Sequence, residues 1–102
     1  MSLEYQGTPS PPLKKHQITE LLDCLAVLDG WVVLRRSEEA IGLGLQQSGH
    51  DAEVSELVSI FLTADQVYVA FHAGHRWHSE CVLQAVNNHL TISGATCHLQ
   101  EL

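Results

Sequence analysis

One hundred and two residues are the length of one ordinary domain, enough to close a modest core without a metal or a disulfide. Apolar residues make up 45% of the chain and charged residues only 17%, which argues against wholesale disorder. The formal charge of −7, with Arg76 the one basic residue beyond position 51, argues against a nucleic-acid partner, whose phosphates are held by Lys and Arg.

In chain order, residues 1–12 hold all three prolines and no hydrophobic period, which predicts a flexible tail ahead of a domain at 13–102. Over residues 14–29, Ile18, Leu21, Leu22, Leu25 and Leu28 share one helical face, with Glu20 and Asp23 off it. The spacing predicts an amphipathic helix, stopped at Gly30 by a residue that tolerates left-handed backbone. Residues 31–36 and 41–47 read as a first hairpin, closed by the polar segment 37–40. Ile41, Leu43 and Leu45 then face one way, and Gly42 and Gly44 the other. This Gly-x-Gly opens no helix and lacks a third glycine, so it is not a dinucleotide fingerprint; it suits close backbone approach instead.

After a polar connection at 48–53, residues 56–72 read as a second hairpin, turning through Thr63-Ala64-Asp65-Gln66. Val58, Ile60 and Leu62 alternate against Ser59 and Phe61, and Val67, Val69 and Phe71 against Tyr68 and His72. Residues 75–90 follow as a second helix, with Val82, Ala85, Val86 and Leu90 on one stripe. Trp77 and Cys81 widen that stripe, which places Cys81 toward the core. Residues 95–102 alternate as a closing strand, able to run parallel to a hairpin neighbour after a strand-helix-strand crossover. The expected fold is α+β: a two-layer sandwich of a mainly antiparallel five-stranded sheet and two helices, in the order α-β-β-β-β-α-β.

Three cysteines, Cys24, Cys81 and Cys97, are odd in number and sit among apolar neighbours, which suggests buried reduced thiols rather than a disulfide framework. No apolar run approaches the ~20 residues of a membrane span, and the first residues lack a basic-then-apolar signal pattern. A cytoplasmic, soluble protein is expected. The seven histidines could, when protonated, cancel the charge of −7.

The densest cluster of chemistry-bearing residues is His72-Ala73-Gly74-His75-Arg76-Trp77-His78, at a strand-to-helix junction. His72, His75, His78 and Cys81 are imidazole and thiolate donors of the kinds zinc accepts, although no Cys-x-x-Cys and no helical His pair at i, i+4 accompanies them. Gly74, His75 and Arg76 could receive an anion, with backbone amides at the helix start and a guanidinium clamp. Trp77, Arg76 and Tyr68 are residue types that anchor protein interfaces. Catalysis finds little support: Cys81 has only His75 or His78 as a local base, and no Gly-x-Ser-x-Gly elbow occurs.

The expected function is therefore non-enzymatic and cofactor-free: a small acidic protein-protein interaction module that binds a basic partner. Small acidic α+β inhibitors of toxic nucleases and secretion chaperones are similar in size, charge and mixed topology, although no motif is shared and a secretion chaperone closes with a helix rather than a strand. The alternative is a small-ligand or metal-binding protein using the junction from His72 to His78. A homodimer is also expected, since a second copy commonly covers an exposed sheet face or edge.

Overall fold

The computed structural model describes residues 3–45, 56–72 and 76–102, with backbone only at 76–79. In chain order the elements are β1 (Leu3–Gly7), α1 (Lys15–Ala26), β2 (Trp31–Arg36), β3 (Ala40–Leu45), β4 (Val58–Leu62), β5 (Val67–Phe71), α2 (Arg76–Ile92) and β6 (Gln100–Glu101). The strands form one antiparallel sheet in the order β2-β3-β4-β5-β1-β6. The fold is α+β with both helices on one face, as the alternation in the sequence indicates.

The core lies between that face and the helices. Ile41 and Leu43 of β3, Val58, Ile60 and Leu62 of β4, and Val67 and Val69 of β5 are fully buried. They meet Leu21, Leu22 and Leu25 of α1 and Val82, Val86 and Leu90 of α2. Register explains the agreement: Ile41 pairs with Ile60 and Ile60 with Val69, so one inward row crosses three strands.

Local chemistry sets the helix ends. Gln17 Oε1 accepts the Lys14 N–H at 2.8 Å, and its Nε2 donates to the Ser93 carbonyl at 3.2 Å, tying the start of α1 to the end of α2. At the C-terminus of α2, Gly94 takes φ of 87°. The Ala95 N–H then reaches the Leu90 carbonyl at 2.9 Å and the Gly94 N–H reaches Thr91 at 3.0 Å, the two bonds of a Schellman stop.

Three expectations require correction. The sheet has six strands, not five, because residues 1–12 are not merely a tail: Leu3–Gly7 is a strand paired to β5 on one side and β6 on the other. The alternation Leu3-Glu4-Tyr5-Gln6-Gly7 carries that strand, and the prolines only end it. The closing segment 95–102 is a strand only at Gln100–Glu101, with a separate bridge between Ser10 and Thr96, and it runs antiparallel to β1. Cys81 is exposed, because Val82, Val86 and Leu90 fix the buried stripe of α2 and turn the preceding residue outward. Cys24 and Cys97 are only half-buried, and partial burial holds the Cys97 thiol above its ordinary pKa.

Gly7 marks where β1 approaches the closing segment. A Cβ there would lie 2.5 Å from the His98 carbonyl oxygen and 2.7 Å from Cys97 Sγ. Because the first obstacle is backbone, Gly7→Ala is expected to cost about 1–3 kcal/mol, the range for overpacking. Urea denaturation would measure it, and a change within error would contradict this packing.

Candidate functional site

The sheet face opposite the two described helices, the helix-free face, carries Arg35, Ser59, Phe61, Tyr68 and His72. The register aligns Arg35, Gly42, Ser59, Ala70 and Glu4 in one row across five strands, with Phe61 and Tyr68 paired in the next. A shift of register between Val33 and Arg35 gives β2 one extra residue, Leu34. This bulge re-aims the two arginines. Arg35 pairs with Gly42 on the helix-free face, while Arg36 pairs with Ile41 and reaches Asp23 of α1 at 2.5 Å.

Glu56 is the hub of the first row. Arg35 Nε donates to Glu56 Oε1 at 3.2 Å and Arg35 NH2 to Oε2 at 3.3 Å. The Ser59 hydroxyl donates to Oε2 at 2.7 Å and stands 2.8 Å from His72 Nε2. Two backbone bonds hold this geometry: Leu57 N–H to Leu43 O, and His72 N–H to Leu57 O, each 2.8 Å, extend the ladders beyond β4 and β5. Gly42 makes room, since a Cβ there would run into the Glu56 carboxylate.

The proton placement decides what this cluster can do. A carboxylate only accepts, so while the one Ser59 proton is donated to Glu56, His72 Nε2 can bond Ser59 Oγ only as a donor. His72 therefore does not act as a base toward Ser59 in this arrangement, and Ser59 itself is only 4% exposed. The cluster is a bracing network rather than an activated nucleophile.

The Ser59 hydrogen bond is the largest influence on Glu56, and together with the bonds and charge of Arg35 it outweighs partial burial, holding the carboxyl below its ordinary 4.5. A carboxylate depressed on folding contributes stability above its unfolded pKa, and that contribution is lost as pH falls through the folded value. Between pH 7 and pH 3, urea denaturation should therefore show a larger loss for the native chain than for Glu56→Gln. Parallel losses would contradict the network. Gly42→Ala should displace Glu56 and cost about 1–2 kcal/mol, within the range for a buried polar group that loses its partner. Combined with Glu56→Gln, its effect should be far from additive, because both remove the same contacts.

The second row is aromatic. Phe61 is 40% exposed, its ring centroid 6.0 Å from that of Tyr68, and Arg35 Cζ lies 5.9 Å from the Phe61 centroid. The Tyr68 hydroxyl donates to Glu4, and this bond to a carboxylate raises the phenol above its ordinary 10.0. Phe61 and Tyr68 thus present partly exposed rings with a guanidinium at one end and a carboxylate at the other.

Of the residues singled out from sequence, Tyr68 and His72 lie on this face, and Cys81 is exposed on α2. Gly74 and His75 lie outside the described residues, as do the side chains of Arg76, Trp77 and His78. Among the described residues, no group of three His, Cys, Asp or Glu side chains is placed to hold a metal ion. Sequence reasoning missed Arg35, Glu56, Ser59 and Phe61 as a site. The available signal was a serine and a glycine on the same face of neighbouring strands, legible only once Gly42 and Ser59 are paired. Elsewhere, hollows open beside Lys15, Thr19 and Arg36 (about 420 Å³) and beside Gln6, Thr96 and His98 (about 560 Å³), away from this cluster.

Comparison with family models, with curated proteins and with solved structures finds no match. Among the described residues, no helix is long and apolar enough to cross a membrane.

Proposed function

We propose that this chain is a small non-enzymatic module that binds a basic protein across the helix-free face of its sheet. The observation that carries the reading is the run Arg35-Phe61-Tyr68, a guanidinium and two partly exposed rings in contact on a face that neither described helix covers. Arg, Tyr and Phe are enriched where interfaces bury their energetic centre, and rings lose little conformational freedom when covered. The hydrogen-bonded network in the neighbouring row braces the platform before any partner arrives, which lowers the entropy cost of binding.

Charge supports a basic partner. Besides the pairs Arg35–Glu56 and Arg36–Asp23, three basic side chains stand against ten acidic ones. Such a surface speeds encounter with a positive one. The module then acts by occupying its partner, as an inhibitor or a chaperone does. The free thiols of Cys24, Cys81 and Cys97 suit a cytoplasmic setting.

The immobilised chain should retain a specific basic protein from lysate of the source organism, with retention falling steeply as salt rises. Retention of an acidic protein, salt-indifferent retention, or none in repeated trials would contradict this function.

A further inference from the structure

β1 occupies an interior place in the sheet while contributing little to the core. It makes a five-residue ladder with β5, from Leu3 opposite Phe71 to Gly7 opposite Val67, and carries β6 on its other side. Its inward side chains are Leu3, 41% exposed, and Tyr5, half-buried with its ring edge-on to Phe71 at 5.9 Å; Gly7 has none. β3, β4 and β5 each supply fully buried side chains, and in chain order the core cluster begins only at Leu13. Detaching β1 therefore leaves two helices, four strands and their shared core in place.

The linker to α1 suits such a movement. Thr8 to Leu13 carries Pro9, Pro11 and Pro12, which cannot donate backbone bonds. Ser10 holds it to Thr96 by two backbone bonds of 2.8 Å, and the Leu13 N–H bonds the Ala64 carbonyl at 2.9 Å. The six-residue step from Gly7 to Leu13 can span about 20 Å when extended. With β1 away, β5 presents an unpaired edge beside the buried row Val67, Val69 and Phe71, a template for an extended strand. The strand whose alternation already fits that edge is another β1.

We propose that β1 is an exchangeable strand, and that two copies of the chain swap it reciprocally, each filling the place beside β5 in the other. The resulting contact is two-fold and self-complementary. It completes each helix-free face with a residue from the second copy, because the Glu4 that accepts from Tyr68 then comes from the partner chain. This inference is independent of the protein partner proposed above. Docking within one chain competes at the effective concentration of a short linker, on the order of millimolar, so exchange becomes appreciable as the chain approaches that concentration.

Glu4 and Ala70 are directly opposite in the register, a spacing of about 4.5–5.5 Å that a disulfide can bridge. In the double variant Glu4→Cys, Ala70→Cys, oxidation in dilute solution should close the bond within one chain. With Cys24, Cys81 and Cys97 replaced by Ser in the background, millimolar concentration should yield a covalent dimer that reductant dissolves, while that background without the two added cysteines yields none. A bond confined to single chains at every concentration would overturn the proposal, including for a dimer formed without exchange. The unsubstituted chain provides a second arm. Sedimentation equilibrium should show its mass rising from monomer in dilute solution toward dimer as the concentration approaches millimolar, and a monomer mass throughout would overturn the proposal.

Discussion

Ile60→Ala should remove about 3–4 kcal/mol of stability, while Phe61→Ala, one residue along the same strand, should remove about 1 kcal/mol or less. Ile60 is fully buried on the central strand β4, between Ile41 and Val69 and beneath both helices. Truncating it leaves a cavity that neighbours on three strands cannot collapse to fill, because the ladder bonds fix their separation. Phe61 points to the other face and is 40% exposed, so its loss removes ring contacts with Tyr68 and Arg35 but opens no cavity. A domain of this length has about 5–15 kcal/mol in total, so the first variant forfeits a large part of it. Its midpoint should fall by roughly 15 °C, at several degrees per kcal/mol. Urea denaturation with unchanged slope would measure both losses, and thermal unfolding the shift in midpoint. Equal losses at the two positions would mean that the faces of β4 are misassigned, and with them the whole helix-free surface.

Alternation made the inward faces of β3, β4 and β5 readable from sequence, because strands buried on one side must repeat every two residues. The stripes of α1 and α2 were readable for the corresponding reason, at helical period. What escaped were features set by pairing between distant segments. β1 is five residues with one half-buried ring, and its place is fixed by a ladder to β5 some sixty residues away, which no local pattern reports. Cys81 has helical spacing compatible with either flank of the stripe, and only packing against α1 and the sheet turns it outward. The candidate site was harder still. Tyr68 was legible as an outward aromatic residue. Its neighbours Phe61 and Arg35 join it through cross-strand register and through the extra residue Leu34, which decides which of two consecutive arginines faces Glu56. In a regular register that kept Leu34, Leu34 would stand opposite Gly42 and Arg35 opposite Ile41, toward the helices and away from Glu56.

The largest functional effect is expected from Phe61→Ser combined with Tyr68→Ser. Together these substitutions strip the exposed rings from the face while leaving every fully buried side chain in place. Central aromatic residues of an interface commonly cost 2 kcal/mol or more when truncated, so losing the pair should weaken partner binding by about a hundredfold or more. The chain should nevertheless unfold cooperatively, with modestly reduced stability, since Arg35 keeps its bonds to Glu56 and Ser59 keeps its own. A substitution on the opposite side of the molecule provides the control: Ile92→Ser, at an 83% exposed position on α2, should leave binding unchanged. The most direct measurement is therefore side-by-side titration of the captured basic protein with the native chain, the Phe61/Tyr68 double variant and Ile92→Ser. Loss of binding in the double variant alone is the expected result; equal affinity in all three would contradict the helix-free face as the binding surface.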